Sequence, residues 1–372
     1  MLLWAAAVAT GCAPRKASVD AAVLVQPLPH GGVQPRVAVA PDGVLHAVYL
    51  KGNPAQSDVY YTHRSVSGEW SPPVRVNSDP GSAIAFGTVR GAQVALGRNG
   101  RVHVAWNGST RGGMTLLYAR SNEARSAFEP QRDVVTWASG LDGGGSVAAD
   151  SRGRVYLAWH AAAGSHGSDA SRVVVLALSQ DDGAHFAREE VVSEGGACAC
   201  CALRLLAADA RVWIAYRAAR NGTGRDIVLL SSADRGAAFT SRTLDPWISN
   251  TCPLSTADLL RTVAGVAVAW ERGDRVRFEL PSAMSGTSSG VLVVPTPAGG
   301  AQKHPILAQN RSGELLAAWT EGTGWNRGGT LAWQRYDAEG RPIGEVGRAG
   351  GIEAWSLAAG APLPDGRFLL LH

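Results

Sequence analysis

The sequence has little excess charge and almost no lysine. Its 35 Lys and Arg residues face 31 Asp and Glu residues, which gives a net charge of +4 over 372 residues. Only three of the basic residues are lysines, a bias toward arginine that we attribute to codon composition. The sequence has no basic stripe with interleaved aromatic residues, the pattern typical of nucleic-acid-binding proteins. The composition therefore argues against a nucleic-acid partner.

The N-terminus lacks both the length of a membrane span and the usual basic start of a signal peptide. Its apolar run, residues 2–9, is far shorter than the about 20 residues that cross a bilayer. The run leads into Ala9-Thr-Gly-Cys12, which resembles a bacterial lipobox. We therefore predict a signal peptide at 1–11 and a lipidated Cys12, followed by a tether and a closing strand within 12–30. A plain secretory signal cleaved nearby is the alternative.

This N-terminus also predicts a location. The mature protein is expected in the cell envelope of a bacterium, periplasmic or associated with the outer membrane. Its contact with the membrane would run only through the lipid on Cys12. A protein partner in the envelope is compatible with such an anchor.

Apolar, strand-like segments recur along the rest of the chain with a period near fifty residues. Each recurrence includes a segment that ends at an aromatic residue or histidine, and these positions are Tyr49, Trp106, Trp159, Tyr216, Trp270, Trp319 and His372. About four strand-like segments fill each period, which is typical of an all-β propeller with four-stranded antiparallel blades. Seven repeats favour seven blades, with six as the alternative. We expect one propeller over residues 31–372, completed by an N-terminal closing strand at 19–26.

Two eight-residue stretches share the pattern S-x-D-x-G-x-x-F, where x is any residue. They are SQDDGAHF at 179–186 and SADRGAAF at 232–239. The Ser and Asp side chains can bind backbone N–H groups of a tight turn, Gly accepts positive φ, and Phe fills the core below. The residues in structural roles are therefore Ser179, Asp181, Gly183, Phe186, Ser232, Asp234, Gly236 and Phe239.

This pattern is the Asp-box or BNR motif, and the chain resembles the sialidase-like β-propeller superfamily in which the motif recurs. The resemblance covers roughly residues 30–372 and implies a fold more firmly than an activity. In such a blade the Asp-box turns lie on one rim. The loops between the second and third strands and the crossings between blades lie on the opposite rim, where we expect any ligand.

Four cysteines of the mature chain fall in the two crossings that flank the fourth blade. Cys198, Cys200 and Cys201 precede the blade, and Cys252 follows it. In an oxidising compartment a disulfide from Cys252 to one of the other three is expected. Copper or zinc bound by the thiolates is the alternative, although C-x-C-C is not a standard zinc spacing. Sequence alone does not choose among the three pairings that four cysteines allow. Apart from this possible metal, no cofactor is expected.

The loop between the cysteines carries candidate ligand-binding residues. Arg217, Arg220 and Arg225 offer guanidinium groups that suit a carboxylate or sulfate. The opposing interpretation is that Arg225 and Asp226 pair with neighbours within the fold. Trp247 and Trp325 are placed to stack on a sugar ring, or else lie under their loops.

The resemblance also implies which catalytic residues to seek. Sialidases of this superfamily use three arginines, a Tyr–Glu pair and an Asp acid/base. Arg36 and Arg217 are candidates for two of the arginines, but the usual Arg-Ile-Pro is absent at Arg36. Beyond Tyr216 the only tyrosine is Tyr336, which we expect at the Asp-box rim. No complete set is present.

We therefore predict a glycan-binding, anionic-ligand-binding or interaction module. The first alternative is a sialidase-like glycoside hydrolase of the exo-alpha-sialidase type, with Arg36, Arg217, Asp226 and Glu271 as catalytic candidates. Such a hydrolase needs two carboxylates on either side of the scissile bond. The second alternative is a metal-binding or redox role for the cysteine cluster.

Overall fold

The computed structural model describes residues 20–110, 113–162, 168–281, 291–296 and 299–372. These residues form seven small sheets, one per blade of a closed β-propeller. The seven-bladed prediction is confirmed and the six-bladed alternative is wrong. The predicted signal peptide and Cys12 lie outside the described residues. Among the described residues, no helix has the length and apolar character needed to cross a membrane.

Six blades have four strands that follow chain order from the centre outward. Blade one contains β2 (Val33–Val39), β3 (Leu45–Asn53), β4 (Gln56–Arg64) and β5 (Val74–Arg75). Blade two contains β6 (Gln93–Leu96), β7 (Val102–Thr110), β8 (Gly113–Arg120) and β9 (Arg132–Asp133). Blade three contains β10 (Ser146–Ala149), β11 (Val155–Ala162), β12 (Arg172–Ser179) and β13 (Glu190–Val191).

The next three blades repeat this order. Blade four contains β14 (Arg204–Ala208), β15 (Arg211–Arg217), β16 (Ile227–Ser232) and β17 (Thr240–Asp245). Blade five contains β18 (Asp258–Thr262), β19 (Gly265–Arg272), β20 (Arg275–Glu279) and β21 (Val291–Val293). Blade six contains β22 (Gln302–Gln309), β23 (Leu315–Glu321), β24 (Gly329–Tyr336) and β25 (Pro342–Ile352). Two short 3-10 helices cover Arg98–Gly100 and Asp169–Ser171.

The seventh blade joins the two ends of the chain. It contains β26 (Ala359–Pro362), β27 (Phe368–Leu371) and β1 (Val23–Gln26). The N-terminal strand therefore closes the ring, as predicted, but it pairs with β27 in parallel, with Val23 opposite Phe368. Within the residues that the structure describes, this blade has three strands. Because β1 and β27 are hydrogen-bonded in one sheet, the two ends of the chain are joined and the ring of blades is closed.

The core lies between adjacent blades and explains the aromatic repeat of the sequence. Trp106, Trp159, Trp270 and Trp319 are fully buried in the second strands of their blades. Alternating residues of each strand face the two neighbouring blades, so both faces are apolar. Three of the four indole N–H groups donate hydrogen bonds: Trp159 to Ala138 O at 2.9 Å, Trp270 to Asp245 Oδ2 at 2.8 Å and Trp319 to Glu321 Oε1 at 3.0 Å. The indole N–H of Trp106 is buried without a partner among the described residues.

The propeller has two rims of different construction. The turn rim carries the turns between first and second strands and both S-x-D-x-G-x-x-F turns. In one of these turns Ser179 Oγ accepts the Gly183 N–H at 2.9 Å, and Asp181 Oδ1 accepts the His185 N–H at 2.9 Å. Gly183 has a φ of 78°, a conformation that favours glycine. The crossing rim carries the loops between second and third strands and the connections between blades.

Candidate functional site

A charged group lines the central channel near the crossing rim. Arg36 lies 3.7 Å from Asp258, and Arg204 lies 3.2 Å from the same carboxylate. Arg204 Nη1 also donates to Gln93 Oε1 at 2.7 Å. These four residues belong to the innermost strands of four different blades. Arg36, Arg204 and Asp258 line a cavity with a volume of about 350 Å³. Two guanidinium groups thus share one carboxylate in a confined space.

The electrostatics of the channel follow from this arrangement. Burial and the neighbouring Arg204 lower the pKa of Arg36 to about 10, and Asp258 only partly opposes them. A guanidinium with this pKa stays protonated at neutral pH. The two arginines and Asp258 therefore leave an excess of one positive charge, which suits an anionic group of a ligand.

Two residues above the channel have unusual backbone conformations. Gln34 and His304 have φ of 55° and 52°, and each precedes a proline at a bulge in the innermost strand of its blade. Gln34 Nε2 donates to Gly87 O at 2.9 Å. Burial, followed by Lys303 and Arg36, lowers the pKa of His304 to about 3. Left-handed conformations at non-glycine residues cost energy and often mark functional positions.

Trp325 lies in the loop between β23 and β24 of blade six and contacts the crossing between blades one and two. Its ring is 6.3 Å from the ring of Phe86, which lies between blades one and two. The Arg90 guanidinium is 5.5 Å from the centres of both rings, and it pairs with Asp142 at 2.5 Å. The side chain of Trp325 remains 44% exposed. It therefore presents an aromatic surface on the crossing rim, where the sequence placed it.

Arg217 lies inside the protein rather than on an exposed loop. It is 2% exposed and 3.6 Å from Glu271, which is 1% exposed. Its Nη1 donates to Arg225 O at 2.7 Å, and its guanidinium lies 5.2 Å from the centre of the Trp247 ring. Burial raises the pKa of Glu271, although Arg217 opposes the shift. The solvent-facing position expected for Arg217 and Glu271 is not found, and Trp247 lies under its loop.

The other loop candidates also have partners within the protein. Arg225 is buried and pairs with Asp169 at 3.2 Å, in agreement with the interpretation that it has a partner within the fold. Arg220 is more exposed and lies 3.9 Å from Glu194. Asp226 Oδ1 accepts the Trp247 N–H at 2.8 Å. The structure does not bring the three arginines to one open surface.

The four cysteines do come together. Cys200 and Cys252 form a disulfide, the pairing class that the sequence favoured. Cys198 Sγ is 3.4 Å from Cys200 Sγ and 3.7 Å from Cys201 Sγ, and both Cys198 and Cys201 are buried. The hydrogen bond from Cys198 and the charge of Arg217 lower the pKa of Cys201, whereas the same hydrogen bond and burial raise the pKa of Cys198.

The sequence points to Arg36 but not to the other residues of the channel. Arg204, Asp258 and His304 are far apart in the chain and form no motif. Their position within the repeat is a clue to the channel, because Arg204 and Asp258 each begin the innermost strand of a blade. A repeat alignment that compared first-strand positions could have found them.

No protein-family model and no curated protein matches this sequence. Solved structures do resemble its fold. A protein of unknown function from Dyadobacter fermentans is 14% identical, with a TM-score of 0.53 over 85% of this chain and 93% of that one. Trypanosoma rangeli sialidase is 12% identical, with a TM-score of 0.54 over 79% of this chain and 53% of that one, so the chain spans about half of its length.

A polysaccharide lyase, the ulvan lyase of family PL25, is 14% identical, with a TM-score of 0.51 over 89% of this chain and 87% of that one. At these identities the likeness concerns the fold. The chain thus has a β-propeller fold that resembles those of sialidases and of a polysaccharide lyase.

Proposed function

We propose that this chain is an exported Asp-box propeller that binds an acidic saccharide at the crossing rim without hydrolysing it. The observation that carries the proposal is the pair of arginines in the channel, Arg36 and Arg204, which share the single carboxylate of Asp258. Guanidinium groups bind carboxylate and sulfate through paired hydrogen bonds. A confined position strengthens such contacts because little water screens them.

Trp325 adds a second kind of contact on the same rim. Its exposed ring is held by Phe86 and Arg90, so stacking a sugar on it costs little ordering of the side chain. Two structural neighbours support the acidic character of the ligand. One is Trypanosoma rangeli sialidase in complex with sialic acid, and the other is the ulvan lyase bound to a sugar containing glucuronate and sulfated rhamnose.

The arrangement of the carboxylates favours binding over hydrolysis. A glycosidase needs two carboxyl groups on either side of the scissile bond. Glu271 is buried against Arg217, Asp226 accepts a backbone N–H, and Asp245 binds the buried Trp270 indole. A sialidase-like hydrolase remains the alternative activity.

Calorimetric titration with sialic acid and with glucuronate-containing oligosaccharides tests the proposal. We expect binding that weakens at least tenfold in Arg36→Gln or Arg204→Gln. Arg261→Gln is the matched control, because Arg261 lines the same channel near the turn rim. Equal affinity for the neutral parent sugars would contradict the proposal. Release of the fluorophore from a fluorogenic sialoside would favour the hydrolase.

We also propose that Cys12 anchors the protein in the bacterial envelope through a lipid. The support is the lipobox-like Ala9-Thr-Gly-Cys12 after an apolar run. Metabolic labelling with a fatty-acid analogue should mark the wild-type chain and leave Cys12→Ala unlabelled. Labelling of both would contradict the assignment. Such an anchor would also place the propeller next to envelope proteins, which crosslinking in intact cells can identify.

A further inference from the structure

Four cysteine sulfurs meet where the crossing into blade four lies beside the crossing out of it. The Sγ atoms of Cys198, Cys200, Cys201 and Cys252 all lie within 4.8 Å of one another. Cys198 and Cys201 are buried, and Cys200 is half-buried. We propose that these four cysteines form a closed tetrathiolate site for Zn²⁺, separate from the saccharide site.

Two distances from Cys198 fit a tetrahedral zinc ion, and the sulfurs of Cys200 and Cys252 must separate on reduction to complete the site. With Zn–S bonds of about 2.3 Å, neighbouring sulfurs in such a site lie about 3.8 Å apart. Cys198 Sγ lies 3.7 Å from Cys201 Sγ and 3.4 Å from Cys200 Sγ. Because the fourth ligand comes from a different crossing, the unusual C-x-C-C spacing does not prevent this geometry.

The distance between the Cα atoms of Cys200 and Cys252 also suits two ligands of one metal ion. The Cα atoms of Cys200 and Cys252 are 7.1 Å apart. Disulfides usually join Cα atoms about 4.4–6.8 Å apart. Ligands on a common metal ion are not held to this limit, because the ion lies between their sulfurs. The disulfide and the zinc site are thus alternative states of the same four cysteines.

Polar groups around the cluster are arranged for thiolates. Arg225 Nη1 is 3.8 Å from Cys198 Sγ. Asp169 holds the Arg225 guanidinium at 3.2 Å and also accepts the Ala199 N–H at 3.2 Å. Such outer partners orient metal ligands and stabilise their charge. A disulfide carries no charge and gains little from them.

Zinc binds the reduced state of this site, so the Cys200–Cys252 disulfide must first be reduced by a dithiol, which gives up two electrons and two protons and becomes a disulfide itself. The four thiols then release four protons, and four Zn–S bonds form while the oxidation state of sulfur does not change. Tetrahedral coordination by four sulfurs is typical of zinc, and a site filled by four protein ligands is structural rather than catalytic. The ion would join two crossings whose cysteines are 52 residues apart in the chain.

Metal binding can be measured on the full chain carrying Cys12→Ser, so that only the four clustered cysteines remain. The reduced protein is given Zn²⁺ alone, and native mass spectrometry counts the ions. We expect one Zn²⁺ per chain and thiols that are alkylated only after chelation. Co²⁺ in its place should give the visible and near-ultraviolet absorption of a tetrahedral tetrathiolate.

Three variants sharpen the test. Cys198→Ser leaves the Cys200–Cys252 pair intact, and we expect it to weaken zinc binding at least tenfold. Arg225→Gln should weaken binding, whereas the matched Arg220→Gln should not, since Arg220 has no contact with sulfur among the described residues. Failure of the reduced wild type to retain Zn²⁺, or full binding by Cys198→Ser, would overturn the proposal. Neither result would bear on saccharide binding.

Discussion

The two S-x-D-x-G-x-x-F turns and the charged groups around blade four are stabilised over different distances along the chain. In the turns, Ser179 and Ser232 accept N–H groups only four residues away, at 2.9 and 2.8 Å. Around blade four, Arg217 bonds to Glu271, 54 residues away, and Arg225 to Asp169, 56 residues away. The turns are therefore local units, whereas the crossing rim is held by contacts that exist only after neighbouring blades have assembled.

The largest expected effect comes from breaking the buried pair between blades four and five. Arg217→Ala leaves Glu271 buried without its guanidinium partner, a change that costs about 3–5 kcal/mol. The double variant Arg217→Met/Glu271→Leu removes both charges and should recover most of that loss. Unfolding in urea measures both. A single variant within about 1 kcal/mol of wild type would contradict the importance assigned to this long-range contact.

Acid should destabilise the protein through buried neutral histidines. Burial lowers the pKa of His160 and of His304 to about 3, and of His46 to about 4. The unfolded chain takes up protons below pH 6.5, whereas the folded chain does not. Stability is therefore complete above pH 6.5 and falls as the pH drops toward 4. The loss is about 2 kcal/mol per histidine at pH 5.

Variants divide this acid effect between the two rims. His46 lies near the turn rim, where its Nδ1 and Tyr61 Oη share a hydrogen bond of 2.8 Å. His160 lies near the crossing rim. His160→Gln and His46→Gln should each flatten part of the decline in urea midpoint between pH 7.5 and 5. An unchanged pH dependence in His160→Gln would contradict the assignment.

The two turns should lose similar amounts of stability when their serines are removed. Ser179→Ala and Ser232→Ala each leave a glycine N–H without its acceptor, at a cost of about 1–2 kcal/mol. The residues lie in different blades, so the double variant should show additive losses. Urea unfolding of the four proteins in this cycle checks both points. A coupling above about 1 kcal/mol would show that the turns are not independent.

The range of these contacts also explains what could be predicted from the sequence. The aromatic repeat and the short turns predict the seven blades and the two rims, because each depends on residues close in the chain. The burial of Arg217 depends on Glu271 and Trp247, which only the ring of blades brings to it. The channel group of Arg36, Arg204 and Asp258 likewise joins three blades and leaves no local pattern.

The parallel pairing of β1 could not be predicted for a related reason. Alternation of apolar residues shows that a strand has buried faces, but it does not show the direction of its partner. Val23 and Phe368 pair because the chain enters the ring beside its own C-terminal strand. The position of the closing strand was therefore predictable, and its direction was not.

Trp325 should show the smallest effect on stability and a clear effect on binding. Trp325 is 44% exposed and lies on the surface of the crossing rim, so Trp325→Ala should change the free energy of unfolding by less than about 1 kcal/mol. The same change removes the stacking surface and should weaken acidic-saccharide binding about tenfold, which equals about 1.4 kcal/mol.

Trp325→Phe separates stacking from mere occupation of the loop. A phenyl ring retains an aromatic face beside Phe86 and Arg90, so we expect most of the affinity to return. Calorimetric titration of both variants against the same oligosaccharide makes the comparison. If Trp325→Ala binds as tightly as wild type, the ligand does not touch this part of the crossing rim. The channel arginines would then have to recognise it alone, and the loss of affinity would be confined to Arg36→Gln and Arg204→Gln.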